Sequence, residues 1–337
     1  MPRPSLVPRR AASPPPVDAL ADLAVAFINP GALRMRICVP ASLPPRAPLV
    51  VVLHGCTQSA AGYDHASGWS RLAGQLGFAV LFPEQVRANN ANLCFNWFEP
   101  GDVSRGHGEV ASIAAAVAAT VARYSLDPAR VFVTGLSAGG AMAGTLLATY
   151  PDVFAGGAVI AGLPFGAAGS VGDALGAMAH PQPRTPAILG DRVRAASSFT
   201  GPWPRVMVWH GTADRTVALA NGAAVAAQWA DVHGARPAGD GRWVGAGVGA
   251  GAGAVVKLIE VIGMGHGTPI DAAAGGIPAP FMLDVGVDST AQTAAFWGLG
   301  AAPSARIPRP AASPPATAAR EIGHVIANAL RAAGLMK

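Results

Sequence analysis

A chain of 337 residues that is 51% hydrophobic and 13% charged carries ample apolar material for a large core, which excludes disorder of the whole. The net charge of +5 sits unevenly: residues 1–48 and 301–337 each carry +4, while 49–300 carries −3, so the basic character belongs to two Pro/Ala/Arg-rich flanks. With no basic stripe in the middle, no run of ~20 apolar residues and only three cysteines, neither nucleic-acid binding, a membrane span nor a disulfide-rich scaffold is expected.

In chain order, residues 1–25 read as a flexible Pro/Arg-rich arm. The visible start lacks the ~7–15-residue apolar core of a secretory signal, so a cytoplasmic protein is expected if that start is native. Residues 33–39 alternate apolar and polar, which predicts an antiparallel strand, with Cys38 as an inert, partly buried thiol. The continuous apolar run 48–53 predicts a strand covered on both faces, leading straight into His54-Gly-Cys-Thr-Gln58. A helix over 68–76, a strand over 78–82 and a polar loop over 87–105 follow, the loop carrying Trp97. Then come a long Ala/Val-rich helix over 109–124, a strand over 131–134 and a buried helix over 138–150. After a short strand over 158–161, residues 163–204 show poor regularity, which marks a functional insertion. A strand over 205–209, a helix over 221–232, a Gly/Ala loop over 245–254, a strand over 255–261 and a short helix over 292–297 complete the folded part. A Pro/Ala linker and a terminal helix over 321–335 make up the tail from 301. Strands alternating with helices predict an α/β fold, a mostly parallel sheet with helices on both faces, spanning residues 26–300. Ligands of such sheets sit at the carboxyl ends of the strands.

Three strand ends carry matching chemistry. Gly135-Leu-Ser-Ala-Gly139 joins a β-branched apolar run to a helix, the form of a nucleophile elbow, with Ser137 at its centre. Asp214 follows the strand at 205–209, and His266 follows the strand at 255–261. Ser, Asp, His is the chain order of α/β-hydrolases. A serine hydroxyl needs a base to take its proton, and the base needs a carboxylate to fix its tautomer. His107, His210 and His233 are weaker candidates for the base because they fall in a polar loop, in a strand and at a helix end. Asp231 and Asp240 are alternatives to Asp214. The loop after the first buried strand supplies one oxyanion amide in this architecture and the residue after the nucleophile the other, here Cys56 and Ala138. His54 is read as a brace for that loop. No His/Asp/Glu cluster has metal-ligand spacing, so neither metal nor cofactor is implied.

Eight segments together resemble the esterase family of short-chain polyhydroxyalkanoate (poly-3-hydroxybutyrate) depolymerases. They are His54-Gly-Cys-Thr-Gln58, Cys94-Phe-Asn-Trp-Phe-Glu-Pro-Gly-Asp102, Arg105-Gly-His-Gly-Glu109, Val133-Thr-Gly-Leu-Ser-Ala-Gly-Gly-Ala-Met142, Tyr150-Pro-Asp-Val-Phe-Ala-Gly-Gly157, Gly201-Pro-Trp-Pro204, Val208-Trp-His-Gly-Thr-Ala-Asp214 and Gly263-Met-Gly-His-Gly-Thr-Pro269. The resemblance covers about residues 33–300. It implies an α/β-hydrolase fold with Ser137 as nucleophile, Asp214 as acid and His266 as base, and a disulfide between Cys56 and Cys94. Such a bridge belongs to oxidising compartments and favours a secreted or periplasmic protein. Polymer-degrading members of the family carry a linker and a separate substrate-binding domain, where this chain has a short tail. Soluble hydroxyalkanoate oligomers or amorphous polyester are therefore the expected substrates. Feruloyl or aryl esters and aromatic polyesters are the alternative, and a serine peptidase is a more distant one. Trp97 and Trp209 are candidates for a hydrophobic acyl groove, and a monomer is favoured.

Overall fold

The computed structural model describes residues 20–245 and 253–300. The strands in chain order are β1 (Ala21–Asp22), β2 (Arg34–Cys38), β3 (Leu49–Leu53), β4 (Ala79–Glu84), β5 (Val131–Leu136), β6 (Gly156–Ile160), β7 (Arg205–Gly211), β8 (Arg236–Pro237), β9 (Arg242–Val244), β10 (Val256–Val261), β11 (Thr268–Ile270) and β12 (Met282–Asp284). The helices are α1 (Ala60–Ser67), α2 (Trp69–Leu76), α3 (Pro100–Val103), α4 (Gly108–Tyr124), α5 (Ala138–Thr149), α6 (Val171–Ala179), α7 (Pro186–Ala195), α8 (Leu219–Val232) and α9 (Ser289–Phe296).

Ten strands form one sheet in the order β1-β2-β4-β3-β5-β6-β7-β10-β9-β8, and β11 pairs with β12 in a ribbon of its own. Every neighbouring pair from β4 across to β10 is parallel. Antiparallel pairs finish both edges. The sequence pattern explains this division. β3, β5 and β6 are buried at every residue, as parallel strands covered on both faces must be. β2, which alternates in sequence, pairs antiparallel with β4 as expected.

Successive side chains of one strand point to opposite faces, so each buried strand feeds two apolar layers. Val51, Val133, Val206 and Val208 pack with Ile113 of α4, Leu146 of α5 and Trp229 of α8. Val50, Phe132, Met207 and Trp209 pack on the other side with Tyr63 of α1, Trp69 of α2 and Ala294 of α9. Helix α5 is buried along its whole length, which its Ala/Gly/Leu sequence, apolar all round, anticipates.

Three expectations need correction. Residues 163–204 are not irregular throughout: they hold α6 and α7. Both are short, and interior glycines weaken their sequence signal. Their starts are nonetheless marked. Ser170 accepts from the Asp173 amide, and Thr185 accepts from the Ile188 amide with Pro186 in the first turn. The arm expected over 1–25 contains β1, whose Asp22 carboxylate meets Arg34 at 2.9 Å and Arg36 at 3.2 Å. Trp209, expected in an acyl groove, is fully buried in the layer under α9, where its indole N–H donates to Thr293 Oγ1 at 3.0 Å. Residues 1–19 of the arm, 246–252 of the Gly/Ala loop and the tail with its expected helix over 321–335 lie outside the described residues. Among the described residues no helix is long and apolar enough to cross a membrane.

Candidate active site

The three strand ends singled out in the sequence converge at the carboxyl edge of the parallel strands. β5 ends at Leu136 and α5 starts at Ala138, so Ser137 must reverse the chain alone. It does so at φ 57°, ψ −116°, a conformation that costs a non-glycine residue about 1–3 kcal/mol. Its amide donates to Ile160 O at 2.8 Å, and its carbonyl receives the Ala141 amide at 2.9 Å, which starts the helix. Gly139 is required there because a Cβ would collide with the backbone carbonyls of Leu53 and His54 at the end of β3.

Ser137 Oγ lies 2.9 Å from His266 Nε2, and His266 Nδ1 lies 2.7 Å from Asp214 Oδ2. The other carboxylate oxygen, Oδ1, accepts the amides of Thr216 and Val217 at 2.8 and 2.9 Å. Burial pushes the Asp214 carboxyl up, but the hydrogen bond and charge of His266 and the two amides outweigh it, so the group titrates below its ordinary range. An ionised Asp214 accepts from Nδ1–H, which leaves Nε2 free to take the serine proton. His210, the strand-borne rival, is fully buried instead. Its Nε2 lies 2.9 Å from Val217 O and 3.5 Å from Asp214 Oδ2, so it braces the turn that holds the carboxylate. Burial holds its pKa down, which keeps it neutral. His233 caps α8 with Nε2 2.9 Å from Pro204 O. Asp231 is paired with Arg194 at 2.5 Å, and Asp240 lies 3.8 Å from Arg242.

The loop after β3 is built to hold its backbone still. The Gln85 amide donates to His54 Nε2 at 3.1 Å, so Nδ1–H donates to Gly55 O at 2.8 Å, and the buried imidazole acts as the brace expected of it. Gln58 Oε1 accepts the Gly55 amide at 2.8 Å, and Asn92 O accepts the Thr57 amide at 2.7 Å. Cys56 is bonded to Cys94, the bridge that the resemblance implies. Among the described residues no acceptor engages the amides of Cys56 or Ala138, and both residues line the pocket at Ser137. That pocket has a volume of about 150 Å³ and is walled by Trp97, Phe98, Leu163, Leu175, Met178 and Phe281. Trp97 thus lines the pocket at Ser137. Cys38, the remaining cysteine, is a free, half-buried thiol whose pKa burial raises. Among the described residues no group of three or more His, Cys, Asp and Glu is placed to hold a metal.

Sequence reasoning missed two contributors. Phe281, which packs edge-on against His266 with ring centroids 6.1 Å apart, comes from the turn before β12, a strand too short to show a pattern. Glu109 opens α4 but is buried. Its carboxyl accepts the Asn96 amide at 2.9 Å and the Gln85 side chain at 2.5 Å, so it underpins the loop that carries Cys94 and Trp97. Burial pushes Glu109 up to about 8 from an ordinary 4.5. A carboxyl that holds its proton more tightly folded than unfolded costs stability as pH rises from about 4.5, and the cost is complete above about 8. Glu109→Gln is expected to flatten that stretch of the stability profile. Urea midpoints measured from pH 5 to 9 check this: parallel curves for the two proteins would refute it.

The sequence model of the family described as Esterase PHB depolymerase matches residues 34–262. The chain is 44% identical over 303 residues to the Poly(3-hydroxyalkanoate) depolymerase C of Paucimonas lemoignei, covering 86% of this chain and 72% of that protein. It is 34% identical over 214 residues to Feruloyl esterase B of Talaromyces stipitatus, covering 61% of this chain and 59% of that protein, so it spans under two thirds of that relative's length. Among solved structures the acetyl xylan esterase from Aspergillus awamori superposes with a TM-score of 0.70 at 24% identity, over 84% of this chain and all of that one, a likeness of fold.

Proposed function

The chain belongs to the Esterase PHB depolymerase family and is a carboxylic ester hydrolase, and from that premise we propose that it cleaves short-chain hydroxyalkanoate esters, oligomers or polyester through an acyl-enzyme on Ser137. One observation carries this reading: the hydrogen-bonded line Asp214–His266–Ser137 ends in an apolar pocket that two unengaged amides border.

The ester carbonyl carbon meets Ser137 Oγ while its oxygen points at the Cys56 and Ala138 amides. Oγ attacks as its proton passes to His266 Nε2, and the carbonyl oxygen becomes an oxyanion. Each amide aimed at that charge is worth about 2.7–4 kcal/mol in the barrier. The buried Asp214 carboxylate stabilises the imidazolium and holds the ring in register. Collapse of the tetrahedral species breaks the ester C–O bond, and the Nε2 proton goes to the leaving alkoxide. Water then attacks the acyl-serine, gives a proton to Nε2, and the second collapse returns that proton to Oγ and releases the acid.

Two observations bear on the substrate. The relative from Paucimonas lemoignei is named for poly(3-hydroxyalkanoate), which supports a hydroxyacyl substrate. The aromatic walls at Trp97, Phe98 and Phe281 favour a second reading, an aryl ester, in line with the feruloyl esterase relative. Initial rates on a 3-hydroxybutyrate trimer, methyl ferulate and an unmodified peptide separate these. The trimer is expected to turn over fastest and the peptide not at all. Faster turnover of methyl ferulate installs the second reading, and peptide cleavage without ester cleavage overturns both.

A further inference from the structure

We propose that α6 is the acyl-length gauge of this site: Leu175 and Met178, on the stripe of the helix that faces Ser137, set the longest acyl chain the pocket admits. The inference rests on the ester-hydrolase reading above and adds the residues that measure the substrate.

Residues three and four apart share a helix face. Val171, Ala174, Leu175 and Met178 follow that spacing, and all four border the pocket that holds Ser137 and His266. The opposite face, with Gly172, Asp173, Gly176, Ala177 and His180, borders a separate surface groove of about 1110 Å³. The wall between the acyl pocket and that groove is therefore one helix thick. Gly172, Gly176 and Ala177 keep much of the groove side of α6 small.

A gauge has to stay in place, and α6 is tied at both ends. Ser170 Oγ caps its start, accepting the Asp173 amide at 3.2 Å. At its end the buried Asn221 side chain donates to Ala177 O at 3.0 Å and to Met178 O at 3.2 Å. The Ala218 amide adds a bond to Met178 O at 2.8 Å. Asn221 and Ala218 lie at the start of α8, which follows the turn that holds Asp214. The position of Met178 is thus fixed relative to the same segment that orients the triad. The pocket it closes, about 150 Å³, matches a cavity that elsewhere holds one benzene-sized ligand. An acyl group of about six heavy atoms fills such a space, and each further methylene meets Leu175 or Met178.

The test measures kcat/KM for p-nitrophenyl acetate, butyrate, hexanoate and octanoate in the wild type, Met178→Ala, Leu175→Ala and Ala174→Leu. One methylene in an apolar pocket changes kcat/KM by about 10–200-fold. The octanoate-to-butyrate ratio is expected to rise about 10-fold or more in Met178→Ala and Leu175→Ala. In Ala174→Leu, which fills the pocket, the optimum is expected to move towards acetate. His180→Ala, on the groove side, is expected to leave the ratios unchanged. Turnover of acetate reports that each variant is folded, and the three pocket variants are judged independently, so the loss of one leaves the others to decide. Unchanged ratios in the folded pocket variants overturn the proposal while the ester-hydrolase reading stands. A wild type that turns over none of the four esters overturns that reading instead, and the gauge with it.

Discussion

Ser137→Ala is expected to lower kcat on p-nitrophenyl butyrate about a millionfold while leaving the melting temperature within a few degrees of the wild type. In the proposed mechanism Oγ forms the covalent bond, and its 2.9 Å contact with His266 Nε2 is the route by which its proton leaves. Alanine keeps the Cβ, so the strained backbone at φ 57° is neither relieved nor worsened. The two amides bordering the pocket stay in place and retain a residual rate over water. Ser137→Gly separates chemistry from strain. It is equally inactive, but it removes the Cβ from a positive-φ position and is expected to melt no lower than Ser137→Ala. Active-site titration with a fluorophosphonate, combined with thermal denaturation, reads both effects. A Ser137→Ala protein that kept even a hundredth of wild-type turnover would place the nucleophile elsewhere.

The strands that position this serine were legible because the sheet is parallel and doubly covered. Runs such as Leu49–Leu53 leave no other reading than a strand buried on both faces. The same property hid Trp209. When both faces of a strand are apolar, the sequence does not say which face meets the pocket, and Trp209 shares the phase of Met207 on the layer under α9. The hydrogen-bonded grouping of Ser137, His266 and Asp214 was legible because each follows a strand, and strand ends meet at one edge whatever the loops between them do. Its support was not. Glu109 sits in the first turn of α4, where an acidic residue is ordinary, and nothing local reveals that Asn96 and Gln85 close over it. Helices α6 and α7 escaped because glycine at 172, 176 and 190 weakens a pattern already confined to nine or ten residues. Their caps at Ser170 and Thr185 carried the missing signal. Within residues 163–204, Leu163 and one face of α6 line the pocket at Ser137.

Asp214→Asn is expected to cost about 10,000-fold in kcat, through the wrong tautomer rather than through lost geometry. The amides of Thr216 and Val217 both donate to Oδ1, so an asparagine side chain must turn its oxygen towards them. Its NH₂ group then occupies the Oδ2 position, 2.7 Å from His266 Nδ1. Two donors cannot face each other, so Nδ1 becomes the acceptor and the ring proton moves to Nε2. That nitrogen now presents N–H to Ser137 Oγ and cannot take its proton. KM is expected to change little, because Asp214 does not line the pocket. Stability supplies an independent check. In the wild type the folded carboxyl titrates below its ordinary value of 3.8, so it contributes stability that is present above 3.8 and lost as pH falls through the folded value. The variant lacks this contribution at every pH. Its deficit in urea midpoint relative to wild type is expected to be full at pH 6 and to shrink progressively below pH 3.8. A deficit that stayed constant down to pH 2.5 would mean that the carboxylate's hydrogen bonds with His266 and the two amides do not stabilise the fold, and that its role is confined to the reaction.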